Sequence, residues 1–208
     1  RSMIEYTGAK PVPMALLEKN GFSFSADDVL AQITPKTRLI IVNSPGNPTG
    51  GAVPEIEVKK LVAGLSRHPD VAIMSDEIYS QMLYDGRTHT TFLKFPEIRD
   101  RLIVLDGWSK TYAMTGWRLG YSIWPNTLVE KVVRLCVNCH SCVNAPTQFA
   151  GIAALEGPQE PVREMVAEVL DRCGPVTGLL HEYEVKLAAL VKRHVPSVEL
   201  IRMLGSGT

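Results

Sequence analysis

Three short, uninterrupted apolar runs constrain this chain more than any other feature: Leu39-Ile40-Ile41-Val42, Val71-Ala72-Ile73-Met74 and Leu102-Ile103-Val104-Leu105. A strand exposed on one face alternates apolar and polar residues. A run without alternation is the pattern of a strand covered on both faces, as in a parallel sheet. Each run ends in a stretch of turn formers and polar residues. Open α/β folds bind their ligands at such carboxyl ends. A fourth strand, 120–124, follows the third run after only about thirteen residues, too few for a comfortable crossover, so it is predicted to run antiparallel.

Helical patterns fill the spaces between the strands. Residues 1–37 read as a surface helix, a strand and a second helix. Pro11 and Pro13 keep 10–16 extended, and Asn20-Gly21 marks a turn. Ser25 and Asp28 form a capping box that opens a helix carrying Val29, Leu30 and Ile33 inward. The segment 54–66 is predicted helical, with Ile56, Leu61, Val62 and Leu65 as its buried stripe. His68 beyond it reads as solvent-exposed. Residues 87–95 read as loop and 96–100 as a short helical turn. Further helices are predicted over 127–138, over 147–156 after Pro146, and from 161 to about 172. The fold class is therefore α/β, a mostly parallel sheet with helices on both faces. With 208 residues the chain is long enough for one sizeable domain, or for a large domain with an appendage.

The polar residues after the strands carry the chemistry. Lys110 lies just past the third run, at the rim of the predicted sheet. A buried lysine can lose its proton and attack a carbonyl as a Schiff-base nucleophile. Gly107, Ser109, Ala113, Gly116 and Gly120 are small enough to let backbone approach a ligand. Arg118, eight positions after Lys110, offers a planar fork suited to a phosphate. After the first run comes Asn43-Ser44-Pro45-Gly46-Asn47-Pro48-Thr49-Gly50, and after the second Asp76 and Tyr79. These two are three residues apart, so one helical turn aims both at a single ligand. Each feature also has a plain reading: a surface lysine, a Pro/Gly turn, and an aspartate that caps the next helix.

Taken together, these residues resemble a known family. The stretch from Gly107 to Gly120 resembles the lysine signature of class I/II aminotransferases, which are fold-type I pyridoxal-phosphate enzymes. Asn47-Pro48-Thr49-Gly50 resembles their N-P-x-G element, and Asp76 with Tyr79 their D-x-x-Y element. The resemblance covers about residues 1–170 and implies the pyridoxal-phosphate-binding core of a large domain, incomplete or rearranged. It implies that Lys110 forms the Schiff base, that Asp76 pairs with the pyridine nitrogen, and that Tyr79 and Asn47 hydrogen-bond the phenolic oxygen. It implies that Ser109 and Arg118 bind phosphate, that Asn47-Pro48 is cis, and that the protein is a homodimer acting on small amino acid and 2-oxo acid substrates.

Residues 171–208 read as an appended helix-strand-loop segment that could complete the same domain. An amphipathic helix over 182–192 leads to Gly205-Ser206-Gly207-Thr208. This tail resembles class III aminotransferases, glutamate-1-semialdehyde aminomutase in particular, whose Ser-Gly-Thr loop contacts the cofactor phosphate. By that likeness Gly207 and Thr208 are further phosphate ligands. The small domain of class I members, with its carboxylate-binding arginine, is not recognisable in this sequence. A non-catalytic fragment or chimera of the same fold is therefore the competing reading.

Composition removes other classes. Lys+Arg and Asp+Glu number 22 each, which argues against a nucleic-acid or anionic-membrane surface. No apolar run approaches membrane-spanning length, and the first residues lack the apolar core of an export signal. A cytoplasmic protein is expected. The first residue is Arg1 rather than Met, consistent with a trimmed piece. Cys136, Cys139 and Cys142, with His140, have the spacing of a haem-attachment or metal motif. They sit in an apolar helical pattern where cysteine packs as a small hydrophobe, so no metal is expected.

Overall fold

A computed structural model describes residues 1–84 and 86–168. The chain divides into two compact units, Arg1–Ala154 and Leu155–Thr208. The first contains a four-stranded sheet in the order β1-β2-β3-β4: β1 Leu39–Asn43, β2 Ala72–Asp76, β3 Leu102–Gly107 and β4 Gly120–Ile123. β1, β2 and β3 are parallel, and β4 joins β3 antiparallel, as the short connection predicts. The helices are α1 Ser2–Tyr6, α2 Ala26–Ala31, α3 Glu55–Gly64, α4 Asn126–His140 and α5 Ala145–Glu156. In the second unit, residues 160–168 are helical.

Sheet register sorts the strand residues onto two faces. Val42, Ile73, Leu102 and Val104 belong to the core, together with Val58, Leu61, Val62 and Leu65 of α3 and with Phe92 and Ile98. α2 adds Val29, while Leu30 and Ile33 pack partly buried against the same cluster. Ser25 caps α2 by accepting the Asp28 N–H at 3.3 Å. A second cap arrives from α3, where the Glu57 carboxylate accepts the Ala26 N–H at 2.7 Å. No sequence pattern shows this bond, because the two residues are 31 positions apart.

Four expectations need correction. Ile56 is 58% exposed, and Val58 takes its place in the buried stripe. Positions 58, 61, 62 and 65 share one helical face, and Ile56 lies about 200° round from Val58. β1 is covered on one face only: Ile41 is half exposed and Leu39 is exposed. Residues 10–16 are extended but form no strand, since the prolines leave too few N–H groups for a ladder. His68 is half-buried, and its carbonyl accepts the Arg101 guanidinium at 2.7 Å. The helical tail predicted over 182–192, the strand after it and Gly205–Thr208 lie outside the described residues.

α4 carries Leu128, Val129, Val133, Leu135 and Val137 on an apolar pattern, and all five are exposed. Cys136 is half-buried, and Cys139 and Cys142 are exposed free thiols. Among the described residues no three His, Cys, Asp or Glu side chains are placed to hold a metal ion, and no helix is long and apolar enough to cross a membrane.

Candidate active site

The ends of β1, β2 and β3 deliver the three motif segments to one edge of the sheet. Asn43 ends β1 and is the register partner of Asp76, the last residue of β2. Its side chain organises the loop that follows: Asn43 Oδ1 accepts the Asn47 N–H at 3.0 Å, and Asn43 Nδ2 donates to the Asp76 carbonyl at 3.5 Å. The Ser44 N–H also donates to that carbonyl, and the Ser44 hydroxyl accepts the Val53 N–H at 3.0 Å. Both Ser44-Pro45 and Asn47-Pro48 are cis. The loop therefore holds Asn47 against the strand end, and the Asn47 amide donates to the Tyr79 hydroxyl at 3.0 Å.

Tyr79 stands on a turn just past β2, not on a helix. The Ser80 N–H donates to the Glu77 carbonyl at 2.8 Å, and the Met82 N–H to the Tyr79 carbonyl at 2.9 Å. Asp76 closes this turn by accepting the Ile78 N–H at 3.3 Å. This is the local bond that the plain reading of Asp76 expected. It occupies one carboxylate oxygen and leaves acceptor capacity on the other. Lys110, from the turn after β3, places Nζ 5.6 Å from the centre of the Tyr79 ring, within cation–π range. Asn47, Tyr79 and Lys110 are thus one constellation, with Asp76 joined to it through Asn43.

Two cavities flank this edge. A cleft of about 400 Å³ is lined by Asn47, Pro48, Tyr79, Met82, Tyr84 and Arg87. A larger one, about 750 Å³, is lined by Ala113, Trp117, Arg118, His140, Asn144 and Thr147 among others. The smaller cleft holds Asn47 and Tyr79, the larger one holds Arg118, and neither is lined by Lys110 or Asp76. Arg118 belongs to the larger cavity, is exposed, and donates to the Thr115 carbonyl at 3.1 Å with its backbone in the left-handed region at φ 55°. Thr115 in turn donates to the Ser109 carbonyl at 3.0 Å. Ser109 and Arg118 are therefore linked to each other through the 109–118 turn. No measured contact joins Arg118 to Asn47 or Tyr79. Gly207 and Thr208 lie outside the described residues.

Two glycines of the lysine stretch also have a use within the sheet. Gly107 and Gly120 are register partners in the β3–β4 pair. A Cβ on Gly107 would meet the Gly120 Cα at 2.7 Å and the Leu119 carbonyl at 2.9 Å. They let the two strands close on each other. Around Gly116 the space is open.

Sequence reasoning missed two groups beside the site. Glu77 and His89 form a buried pair, His89 Nε2 to Glu77 Oε2 at 2.9 Å. Asp106 and Tyr121 pair across β3 and β4, the tyrosine hydroxyl donating at 3.2 Å. Burial pushes the Asp106 carboxyl above its ordinary range despite hydrogen bonds from Gly107 and Tyr121. Burial and the adjacent Asp106 charge push the Tyr121 hydroxyl up to about 12. Glu77 directly follows a motif residue, but one carboxylate beside another carries no signal of burial.

Comparison with known proteins bears on the family and the fold. Residues 1–190 match the family described as Aminotransferase class I and II. The aspartate aminotransferase of Rhizobium meliloti strain 1021 is 38% identical over 156 residues, 74% of this chain and 38% of that protein. Aromatic-amino-acid aminotransferase 2 of Thermococcus litoralis is 37% identical over 177 residues, 84% of this chain and 45% of that protein. The crystal structure of the aspartate aminotransferase from Rhizobium meliloti superposes with a TM-score of 0.78 at 34% identity, covering 82% of this chain and 43% of that one. This chain thus spans less than half the length of these relatives.

Proposed function

The chain belongs to the class I and II aminotransferase family, and on that premise we propose that it is the cofactor-binding core of an enzyme that moves an amino group between an amino acid and a 2-oxo acid. The observation that carries the reading is the Asn47–Tyr79–Lys110 constellation at the ends of three adjacent strands. Enzymes of this family use pyridoxal phosphate, and the donor set suits that group. An amide and a hydroxyl meet at 3.0 Å, the arrangement needed to share one phenolic oxygen. A carboxylate with a free acceptor position lies on the neighbouring strand end. A primary amine stands beside them.

When bound, pyridoxal phosphate supplies a sink for the electron pair left by a broken Cα–H bond. The chain's own residues do the rest. Lys110 would carry the amine that anchors the cofactor and, once freed, would be the base that moves the proton between the substrate Cα and C4′. The Asp76 carboxylate would hold the ring nitrogen and keep it protonated. Asn47 and Tyr79 would donate to the phenolic oxygen. Ser109 and Arg118 would hold the phosphate. Residues 1–170 form the binding core, and 171–208 are the appended segment. The molecule acts as a homodimer in the cytoplasm, and aspartate or an aromatic amino acid is the donor to test first, since relatives bear those names.

The experiment is covalent trapping. The chain is incubated with pyridoxal phosphate, reduced with borohydride and digested, and the tagged peptide is identified by mass. The tag is expected on Lys110, and Lys110→Ala should abolish it. A tag on another lysine, or none on the wild-type chain, overturns the assignment. A second reading is cofactor binding without turnover. Tagging of Lys110 without detectable transamination supports that reading.

A further inference from the structure

We propose that Glu77 and His89 are positioning residues for the cofactor site: a buried carboxylate–imidazole pair that pins the segment after β2 and thereby fixes where the Tyr79 hydroxyl stands. The inference rests on the function proposed above. Glu77 directly follows Asp76, yet it is 4% exposed. Alternation along a strand puts the two on opposite faces. Asp76 shares the face of Asn43, whereas Glu77 goes with Ser75 toward the core side. Its N–H donates to the Leu105 carbonyl at 2.9 Å, so the β2–β3 ladder is extended by one residue.

Glu77 gathers donors from three places. Oε1 accepts the Ser75 hydroxyl at 2.9 Å and the Phe92 N–H at 3.2 Å, and Oε2 takes His89 Nε2 at 2.9 Å. Burial alone would raise its pKa, but hydrogen bonds from His89, Thr91 and Ser75 hold the carboxyl below its ordinary range. A buried carboxylate is costly unless its oxygens are satisfied. The Glu77 group therefore fastens both ends of the 77–92 segment to one point. Tyr79 is two residues from that point, on the turn closed by the Ser80 N–H to the Glu77 carbonyl. Glu77 and His89 face away from the cleft and touch no reacting atom, so their effect passes through the backbone to Tyr79. The Asn47–Tyr79 bond then has a fixed partner on each side.

The test measures pyridoxal-phosphate affinity of the full chain by titration, in a double-mutant cycle with Tyr79→Phe. His89→Leu keeps volume and removes the donor, and His89→Gln restores an N–H. His89→Leu should weaken binding about tenfold, and His89→Gln should recover most of it. In the Tyr79→Phe background, His89→Leu should change little further. Equal penalties in both backgrounds, or a lowered melting midpoint with unchanged affinity, overturn the proposal. If His89→Leu does not fold, Glu77→Gln is read by the same criteria. Hydrogen exchange needs no cofactor: amides of 78–84 should exchange at least about tenfold faster in His89→Leu, with α3 unchanged. Uniform acceleration that includes α3 also overturns it. A wild-type chain that fails to bind pyridoxal phosphate defeats the functional reading, and the exchange pattern then decides the pinning alone.

Discussion

Asp106 opposes folding at neutral pH. Its carboxyl titrates above the ordinary value of 3.8, so the folded chain takes up its proton more readily than the unfolded one. The cost is present while the group is ionised and vanishes as pH falls through its folded pKa toward 3.8. Asp106→Asn should therefore raise the melting midpoint at pH 7, by about 1–3 °C for a chain of this size, and give no gain near pH 3. Glu77 has the opposite sign, because its depressed pKa stabilises the fold above the unfolded value and that contribution is lost in acid. At Gly107 the constraint is steric. Gly107→Ala must separate β3 from β4 and should cost about 1–3 kcal/mol by denaturant melting, since the added Cβ meets backbone. The candidate site residues Lys110, Asn47, Asp76 and Tyr79 could be picked out in the sequence because they fall in stretches after apolar runs that resemble family motifs. Glu77 and His89 were not, because their meaning lies in a contact between residues twelve positions apart.

At the scale of elements, the strands were legible and the phase of the helices less so. Periodicity found α3, but Ile56 was assigned to its buried face and Val58 holds that place. The two alternatives differ in a measurable way. Leu61→Ala, at a site of zero exposure, should cost about 2–5 kcal/mol. Ile56→Ala should stay within about 0.5 kcal/mol. The antiparallel setting of β4 followed from chain length alone, because about thirteen residues barely suffice for a crossover. Coverage of β1 could not be read this way. A run of apolar residues says that two faces tolerate burial, while the packing partners of each face lie elsewhere in the fold. Ile40 and Val42 meet the α3 side, and Leu39 and Ile41 face outward.

The whole molecule presents apolar surface that single domains usually hide. Leu39 and Ile41 on β1 and Val129, Val133 and Val137 along α4 are all exposed. The purified chain should bind a hydrophobic dye such as anilinonaphthalene sulfonate, and Val133→Lys should reduce the signal with circular dichroism unchanged. A signal equal to that of a well-covered globular control would contradict the exposure of α4. One feature of β2 reaches beyond any single substitution. Asp76 and Glu77 are neighbours on opposite faces of the sheet, Asp76 on the face of Asn43 and Glu77 with Ser75 on the core side. Deleting or inserting a single residue upstream in β2 turns every following side chain over. The core would then receive the Asp76 carboxylate, and the Glu77 clamp would lose its partners. Point changes here can be graded, but a change in residue count cannot. The number of residues between 72 and 79 therefore constrains this site more tightly than the identity of the apolar ones among them.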